Sequence, residues 1–260
     1  MQRGLFCNLR AAILLSLLLC IDADLTDLLP YGPDVGDEQM SYPLGAQQVT
    51  SPAAKCANDV SIHYYGRFRF NYYDSDCNVN SSVSFYNVWM NYLQPNKGMV
   101  HRRFVTSDTT LREIYNIMGE LYCGNNDWVF IVTWVDMEAV GYSGKSTYQT
   151  VIVKQEDIFY ALYINGEADY DLSQPNLDVG EVEFYDYGTA SRLTFIIHNM
   201  MEFSVTDYSF RSNIGRPGVY LLKVGNKTVS LPPTQTPNGL FCREEEETIT
   251  ASGNSLKRQL

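Results

Sequence analysis

VFIVTWVDMEAVGYSGKSTYQTVIV, residues 129–153, decides between two folds. Its centre runs from Ala139 to Thr147 and contains Gly144-Lys145-Ser146, the last three places of the phosphate-binding loop G-x-x-x-x-G-K-[ST]. That loop joins a strand to a helix, because the helix N-terminus supplies the free N–H groups and the dipole that hold phosphate. Two features refuse this reading. Ala139 stands where the first glycine belongs, and the residues after Lys145 are strand formers, Tyr148-Gln149-Thr150-Val151-Ile152-Val153. The stretch therefore reads as strand, turn, strand, with Gly141, Ser143 and Gly144 in the turn. It is not a G-x-S-x-G nucleophile elbow either, since Lys145 takes the final glycine place.

The neighbouring segments repeat the pattern. Residues 158–164, 192–197 and 219–224 are further β-branched and aromatic runs, separated by Gly, Asp and Asn clusters. Connections this short suit antiparallel strands and not βαβ crossovers. One segment departs from the pattern. After Ser107-Asp108, the apolar residues Leu111, Ile114, Tyr115, Met118 and Leu121 fall on one helical face. Ser107 or Asp108 can cap this helix, and Gly119 or Gly124 can end it. The expected fold is mainly β (a β-rich α+β arrangement): an antiparallel curved sheet or sandwich with one packed amphipathic helix.

The N-terminus sets the compartment. Arg3 and Arg10 precede and flank an apolar run, Ala11 to Ile21, which ends near the small residue Ala23. This reads as a secretory signal peptide over residues 1–23, too short for a comfortable membrane span of about 20 apolar residues. Residues 24–55, rich in Pro, Gly, Asp and Gln, read as an extended N-terminal segment. Residues 56–224 are long enough for one domain with its own core. Residues 225–260 read as a mostly disordered acidic tail, with Glu244 to Glu247 in a row. The chain carries a net charge of −11, which argues against nucleic acid as a partner.

Cys56, Cys77, Cys123 and Cys242 lie beyond the signal. In an oxidising compartment they suggest two disulfides. Cys56–Cys77 closes a local loop; Cys123 and Cys242 are left to each other, or Cys242 belongs with a module outside this chain. Asn80-Ser81-Ser82 and Asn226-Lys227-Thr228 are N-glycosylation sequons, which become meaningful behind a signal peptide.

The series of motifs resembles the nidogen-like domain of extracellular proteins such as nidogen and alpha-tectorin. Ser212-Asn213-Ile214-Gly215-Arg216-Pro217-Gly218 followed by the strand Val219 to Val224 is similar to the family's closing motif, with Tyr220 where Trp is usual. Gly98-Met99-Val100-His101-Arg102-Arg103 looks like its G-x-V-x-x-R strand, and Thr133-Trp134 like its Thr-Trp strand. There are departures. Val79-Asn80-Ser81-Ser82 lacks the family's glycine, and Val88-Trp89-Met90-Asn91 is a reduced form of its Pro-x-Trp-x-Asp segment. Without the family name, Trp134 reads as core, and Gly215, Pro217 and Gly218 as a tight turn with Asn213 bonding to nearby backbone.

No catalytic constellation stands out. His63, His101 and His198 lack zinc-ligand spacing. Asp169 with Asp171, and Glu181 with Glu183, are i, i+2 acid pairs of the kind that serve glycoside hydrolysis. They lie in a stretch, 169–188, with six acids and no base, so solvation or weak calcium binding fits better. Calcium is thus the one cofactor left open. The tyrosine doublets Tyr64-Tyr65 and Tyr72-Tyr73 should each send one ring outward. The resemblance implies a noncatalytic extracellular module that contacts matrix or cell-surface proteins. The alternatives are a lectin-like glycan binder, or an enzyme with an unrecognised site.

Overall fold

The computed structural model describes residues 28–41, 47–63, 67–89, 97–119, 128–138, 144–168, 178–202, 207–208, 210–225, 227–231, 250–251 and 254–255. The signal segment, the Tyr64-Tyr65 doublet, Asp169, Asp171, Cys123, Cys242 and Asn226 lie outside these residues.

Two antiparallel sheets form a sandwich. The strands are β1 (Glu38–Ser41), β2 (Gln47–Val49), β3 (Val60–His63), β4 (Arg67–Tyr73), β5 (Val79–Trp89), β6 (Met99–Phe104), β7 (Trp128–Met137), β8 (Ser146–Gln155), β9 (Ile158–Ala168), β10 (Asp178–Asp186), β11 (Ser191–Ile196), β12 (Val219–Gly225) and β13 (Thr228–Ser230). The first sheet has seven strands in the order β1-β6-β7-β8-β9-β12-β13. The second has six, in the order β11-β10-β5-β4-β3-β2. A separate pair, β14 (Thr250–Ala251) and β15 (Asn254–Ser255), follows near the C-terminus.

The opening stretch resolves as a hairpin. β7 and β8 pair from Trp128↔Lys154 to Met137↔Ser146, and Ser146 begins a strand where a phosphate loop would begin a helix. Gly144 has φ +99°, and Lys145 lies 3.9 Å from Asp136 on the surface. The segment from Ala139 to Ser143 is outside the described residues.

Alternate residues of β7 serve two different cores. Phe130, Val132 and Trp134 point between the sheets, where they meet Phe68, Phe85, Phe159 and Tyr220. Val129 and Ile131 point the other way, into a second core with Val151, Leu162 and Leu221. The helix α1 (Asp108–Met118) covers that second face with Ile114, Ile117 and Met118. A sheet buried on both sides has no reason to alternate polar and apolar residues, which explains the continuous apolar runs of its strands. Trp134 is fully buried and stacks on Tyr148 with ring centroids 5.2 Å apart. Burying side chains of this size contributes about 1.5–3 kcal/mol each.

α1 ends as read, with Gly119 at its C-cap, φ +62°. Ser107 occupies the N-cap position, but its side chain makes no capping bond. The expected strand over 192–197 stops at Ile196, and Ile197 opens a second, four-residue helix, α2 (Ile197–Met200). The reason is Gly180. It has φ +66°, and a Cβ there would lie 2.4 Å from the Ile197 side chain, so the chain turns Ile197 into the core against a bare backbone.

The N-terminal segment contributes to both sheets. β1 is an edge strand of the seven-stranded sheet, anchored by Asp37 to Arg103 and by Glu38 to Arg102 at 2.8 Å. β2 is an edge strand of the other sheet. Leu29 is buried in the second core, and its backbone is held on both sides by Gln149. Its N–H donates to Gln149 Oε1 at 2.8 Å, and Gln149 Nε2 donates to its carbonyl at 2.7 Å.

The closing motif performs the same substitution of side chain for strand. β13 pairs only with Lys223 to Gly225 of β12, so the β12 edge ahead of it lacks a neighbour there. Asn213 supplies one. Its Nδ2 donates to the Leu221 carbonyl at 2.7 Å, and the Leu221 N–H donates to its Oδ1 at 2.9 Å. Ser212 Oγ donates to the Val219 carbonyl at 2.7 Å and accepts from the N–H groups of Ile214 and Arg216. Gly215 and Gly218, with φ +76° and +73°, make the turns on either side of Pro217 that let the segment fold back. Tyr220 is fully buried and stacks on Tyr208 at 4.5 Å.

Candidate functional site

The two faces of the seven-stranded sheet are both taken up by core. The six-stranded sheet gives only one face to the core. β4 reads Arg67-Phe68-Arg69-Phe70-Asn71-Tyr72-Tyr73, and period 2 sends Phe68, Phe70 and Tyr72 inward and Arg67, Arg69 and Asn71 outward. β5 does the same with Val83 and Phe85 in, and Ser82, Ser84 and Tyr86 out. None of the outward residues belongs to either hydrophobic cluster.

Register assembles these residues into rows across the outer face. One row is His63, Arg67, Tyr86, Glu181 and Ile196; the next is Ser61, Arg69, Ser84, Glu183 and Thr194. The two acids on β10 therefore share a face, as their i, i+2 spacing requires. They are not a free acid pair. Both are buried, and both reach Arg192, at 3.6 Å for Glu181 and 2.5 Å for Glu183. A guanidinium between two carboxylates compensates their charge and leaves them poorly suited to acid-base work.

The other half of the face is cationic. Arg67 Nη1 donates to the Tyr86 hydroxyl at 2.9 Å, and its guanidinium lies 5.5 Å from the Tyr86 ring centroid. Arg67 Nη2 lies 3.3 Å from His63 Nδ1, while His63 Nε2 lies 3.2 Å from Ser61 Oγ. Arginine only donates, so Nδ1 is the bare nitrogen and Nε2–H donates to Ser61. Burial, with Arg67 and Arg69 adding to it, pushes the His63 pKa down to about 3, so the ring is neutral at neutral pH. Arg69 Nε donates to Ser84 Oγ at 3.1 Å, and its Nη1 reaches the Tyr187 hydroxyl at 3.5 Å.

The family model for the nidogen-like domain matches residues 71–226. The chain belongs to the nidogen-like domain family. That family is one of noncatalytic extracellular protein-interaction modules. No curated protein and no solved structure matches the chain. The match covers β5 to β12 with the last part of β4, so the Arg67–Arg69 half of the outer face lies just ahead of it, on β4.

The nidogen-like domain places the remaining sequence candidates as follows. Cys56 and Cys77 form a disulfide, which ties the loop before β3 to the β4–β5 turn. Asn80 is exposed at the start of β5. Tyr72 and Tyr73 face opposite ways: Tyr72 packs inward against Phe70 and Phe159, and the Tyr73 hydroxyl donates towards the Ala57 and Asn58 carbonyls of the disulfide loop. His101 is buried on β6 beside Tyr31, far in sequence and in sheet from His63 on β3. His198 lies on α2, and its side chain is outside the described residues, as are those of Val88 and Trp89 on β5. Among the described residues, no three His, Cys, Asp or Glu side chains gather where they could hold a metal ion, and no helix is long and apolar enough to cross a membrane. Of the acidic stretch 169–188, where weak calcium binding is the expectation, residues 169–177 with Asp169 and Asp171 fall outside the described residues.

A cavity of about 240 Å³ opens at the end of the sandwich beside the disulfide, lined among others by Asp59, Tyr72, Tyr73, Trp128 and Lys154. Asp59 is already committed, accepting from the Ser51 N–H at 2.8 Å and from the Ser51 hydroxyl.

Proposed function

We propose that this chain is a secreted, noncatalytic module that adheres to matrix or cell-surface proteins. The observation that carries the reading is the nidogen-like match across most of the sandwich. The chemistry of the outer sheet face adds support. Arginine and tyrosine are the residue types enriched where proteins meet proteins, and here they stand together on a rigid sheet. The signal-like N-terminus, the sequons and the disulfide accord with an extracellular route.

The test is expression of the full chain in secretory cells, followed by its distribution between medium, cell surface and detergent-insoluble matrix, with and without glycosidase. Retention on cells or matrix is the expected result. A protein found wholly free in the medium would overturn the adhesive role, and one found unglycosylated in the cytosol would overturn secretion. A second reading, a glycan binder, draws on the aromatic-lined cavity at the disulfide end. Glycan-array binding that is lost on Tyr73→Ala would favour it.

A further inference from the structure

We propose that Arg67 and Arg69, on the outer face of the six-stranded sheet, form a docking site for a carboxylate side chain presented by an acidic segment of a partner protein. The proposal deepens the adhesive reading and rests on it for the partner's being a protein.

The two arginines have no carboxylate in salt-bridge contact among the described residues, and Glu183 acts on Arg69 only from a longer range. Arg102, Arg103, Arg192 and Arg211 each pair with a carboxylate. Arg67 and Arg69 make no ion pair among the described residues. Their bonds go to neutral groups: the hydroxyls of Tyr86, Ser84 and Tyr187 and the imidazole of His63. Arg67 Nε is buried and has no hydrogen-bond partner. A half-buried guanidinium has given up part of its hydration, and a second one two residues along the same strand face, about 7 Å away, adds repulsion. The Arg69 pKa is lowered, by burial first and by Arg67 second, against smaller opposing effects of Tyr187, Tyr86 and Glu183. A carboxylate set between the two would answer both costs, and the planar forks are already oriented by their neutral partners.

The surroundings select the class of partner. The acids Glu181 and Glu183 stand two strands away in the same rows, and Arg192 offsets only one of their two charges. A uniformly anionic chain, such as a sulfated glycan, would meet net negative charge along β10 as it left the arginine pair. A protein segment carries charge of both signs and can set one acid on the arginine pair without laying negative charge along β10. Tyr187, 43% exposed, and Arg192 flank the site as further contact residues.

The experiment uses the full secreted chain and three probes: a mixed-charge peptide with an Asp-Tyr-Glu centre between lysines, the same peptide with Asn and Gln for the acids, and a heparin-derived hexasaccharide. Each is titrated while the arginine Nε–H signals are followed by NMR. The expected result is saturable shifts of the Arg67 and Arg69 signals with the acidic peptide, weakened by added salt, and little with the other two. Arg67→Gln with Arg69→Gln should weaken peptide binding by tenfold or more, and Arg67→Lys with Arg69→Lys should recover part of it. Equal response to the amide peptide, preference for the hexasaccharide, or no arginine shift with the acidic peptide would each overturn the proposal. Unchanged secretion and thermal unfolding of the Gln variant exclude misfolding; if either changes, the wild-type titration alone decides. Matrix retention of wild type and Gln variant is read in parallel. Wild type that is not retained defeats the adhesive reading and leaves the titration standing; equal retention of both defeats this site and leaves the adhesive reading standing.

Discussion

Asn213→Ala should be among the most damaging single substitutions in the sandwich. The Asn213 amide makes two buried hydrogen bonds with one residue of β12, at 2.7 and 2.9 Å, and is only 4% exposed. Alanine removes both partners at once and leaves the Leu221 N–H and carbonyl facing a gap. Each orphaned buried group costs about 1–3 kcal/mol. The expected loss is therefore about 2–6 kcal/mol, a large part of the roughly 5–15 kcal/mol that holds a domain together. Urea unfolding of the secreted protein followed by tryptophan fluorescence reads it directly, because Trp134 and Trp128 are both buried. With an m-value of about 1–3 kcal/mol per molar, the midpoint should fall by roughly 1–3 M. Asn213→Asp adds a sharper sign. The carboxylate can still accept from the Leu221 N–H, but it faces the Leu221 carbonyl with no proton to donate. Its folded-state pKa is raised, so the folded protein binds the proton first as pH falls. Stability of this variant should thus rise on mild acidification, between the raised folded pKa and the ordinary aspartate value near 4. An alanine loss below about 1 kcal/mol, or an Asp variant with no recovery in acid, would refute the claim that this side chain replaces a missing strand.

Three further outcomes are expected. His63 has its folded pKa depressed to about 3, so the unfolded chain takes up a proton first as pH falls below 6.5. Stability should fall by up to about 1.4 kcal/mol per pH unit between 6.5 and 3, and His63→Asn should flatten that slope in pH-dependent urea melts. Gly98 has φ +76°, and a Cβ there would lie 2.6 Å from the Val135 carbonyl oxygen. Gly98→Ala should therefore cost more than the roughly 1–2 kcal/mol of a left-handed residue alone, measured by the same midpoint. Cys56→Ser with Cys77→Ser opens a loop of 21-residue separation and should lower stability by about 3 kcal/mol, with unfolding compared under non-reducing conditions.

The legible parts of the sequence were those with signals local to the chain. β7, β8, β9 and β12 announce themselves because a sheet covered on both faces needs unbroken apolar strands. α1 is legible because Ile114 and Met118 recur at helical spacing and lie fully buried where that spacing puts them. β1 and β2 carry no such mark. They are short edge strands whose partners lie far along the chain, Arg102 for Glu38 and Ile62 for Gln47 among them, and only the pairing defines them. Ile197 misled because its β-branched neighbourhood said strand, while the space above Gly180, some 17 residues earlier, decided otherwise.

The candidate face was harder still. Glu181 and Glu183 are visible in the sequence as an acid pair, but Arg192 compensates them through the β10–β11 hairpin register. Arg67 and Arg69 were not singled out. The available signal was the strict alternation Arg-Phe-Arg-Phe, which puts two cations on the opposite side from two core rings. That Tyr86, Ser84 and Tyr187 would hold those cations depends on contacts 19, 15 and 118 residues distant, which no local pattern encodes.

The central claim is that the outer face of the six-stranded sheet meets a protein partner. The most direct measurement places a photoreactive side chain at exposed Thr194 on that face, and in a parallel protein at exposed Arg112 on α1, on the far side of the molecule. Both are secreted onto matrix-producing cells and irradiated. The account predicts a discrete protein adduct from the Thr194 position and none from Arg112. Adducts from Arg112 alone, or from both positions alike, would contradict it.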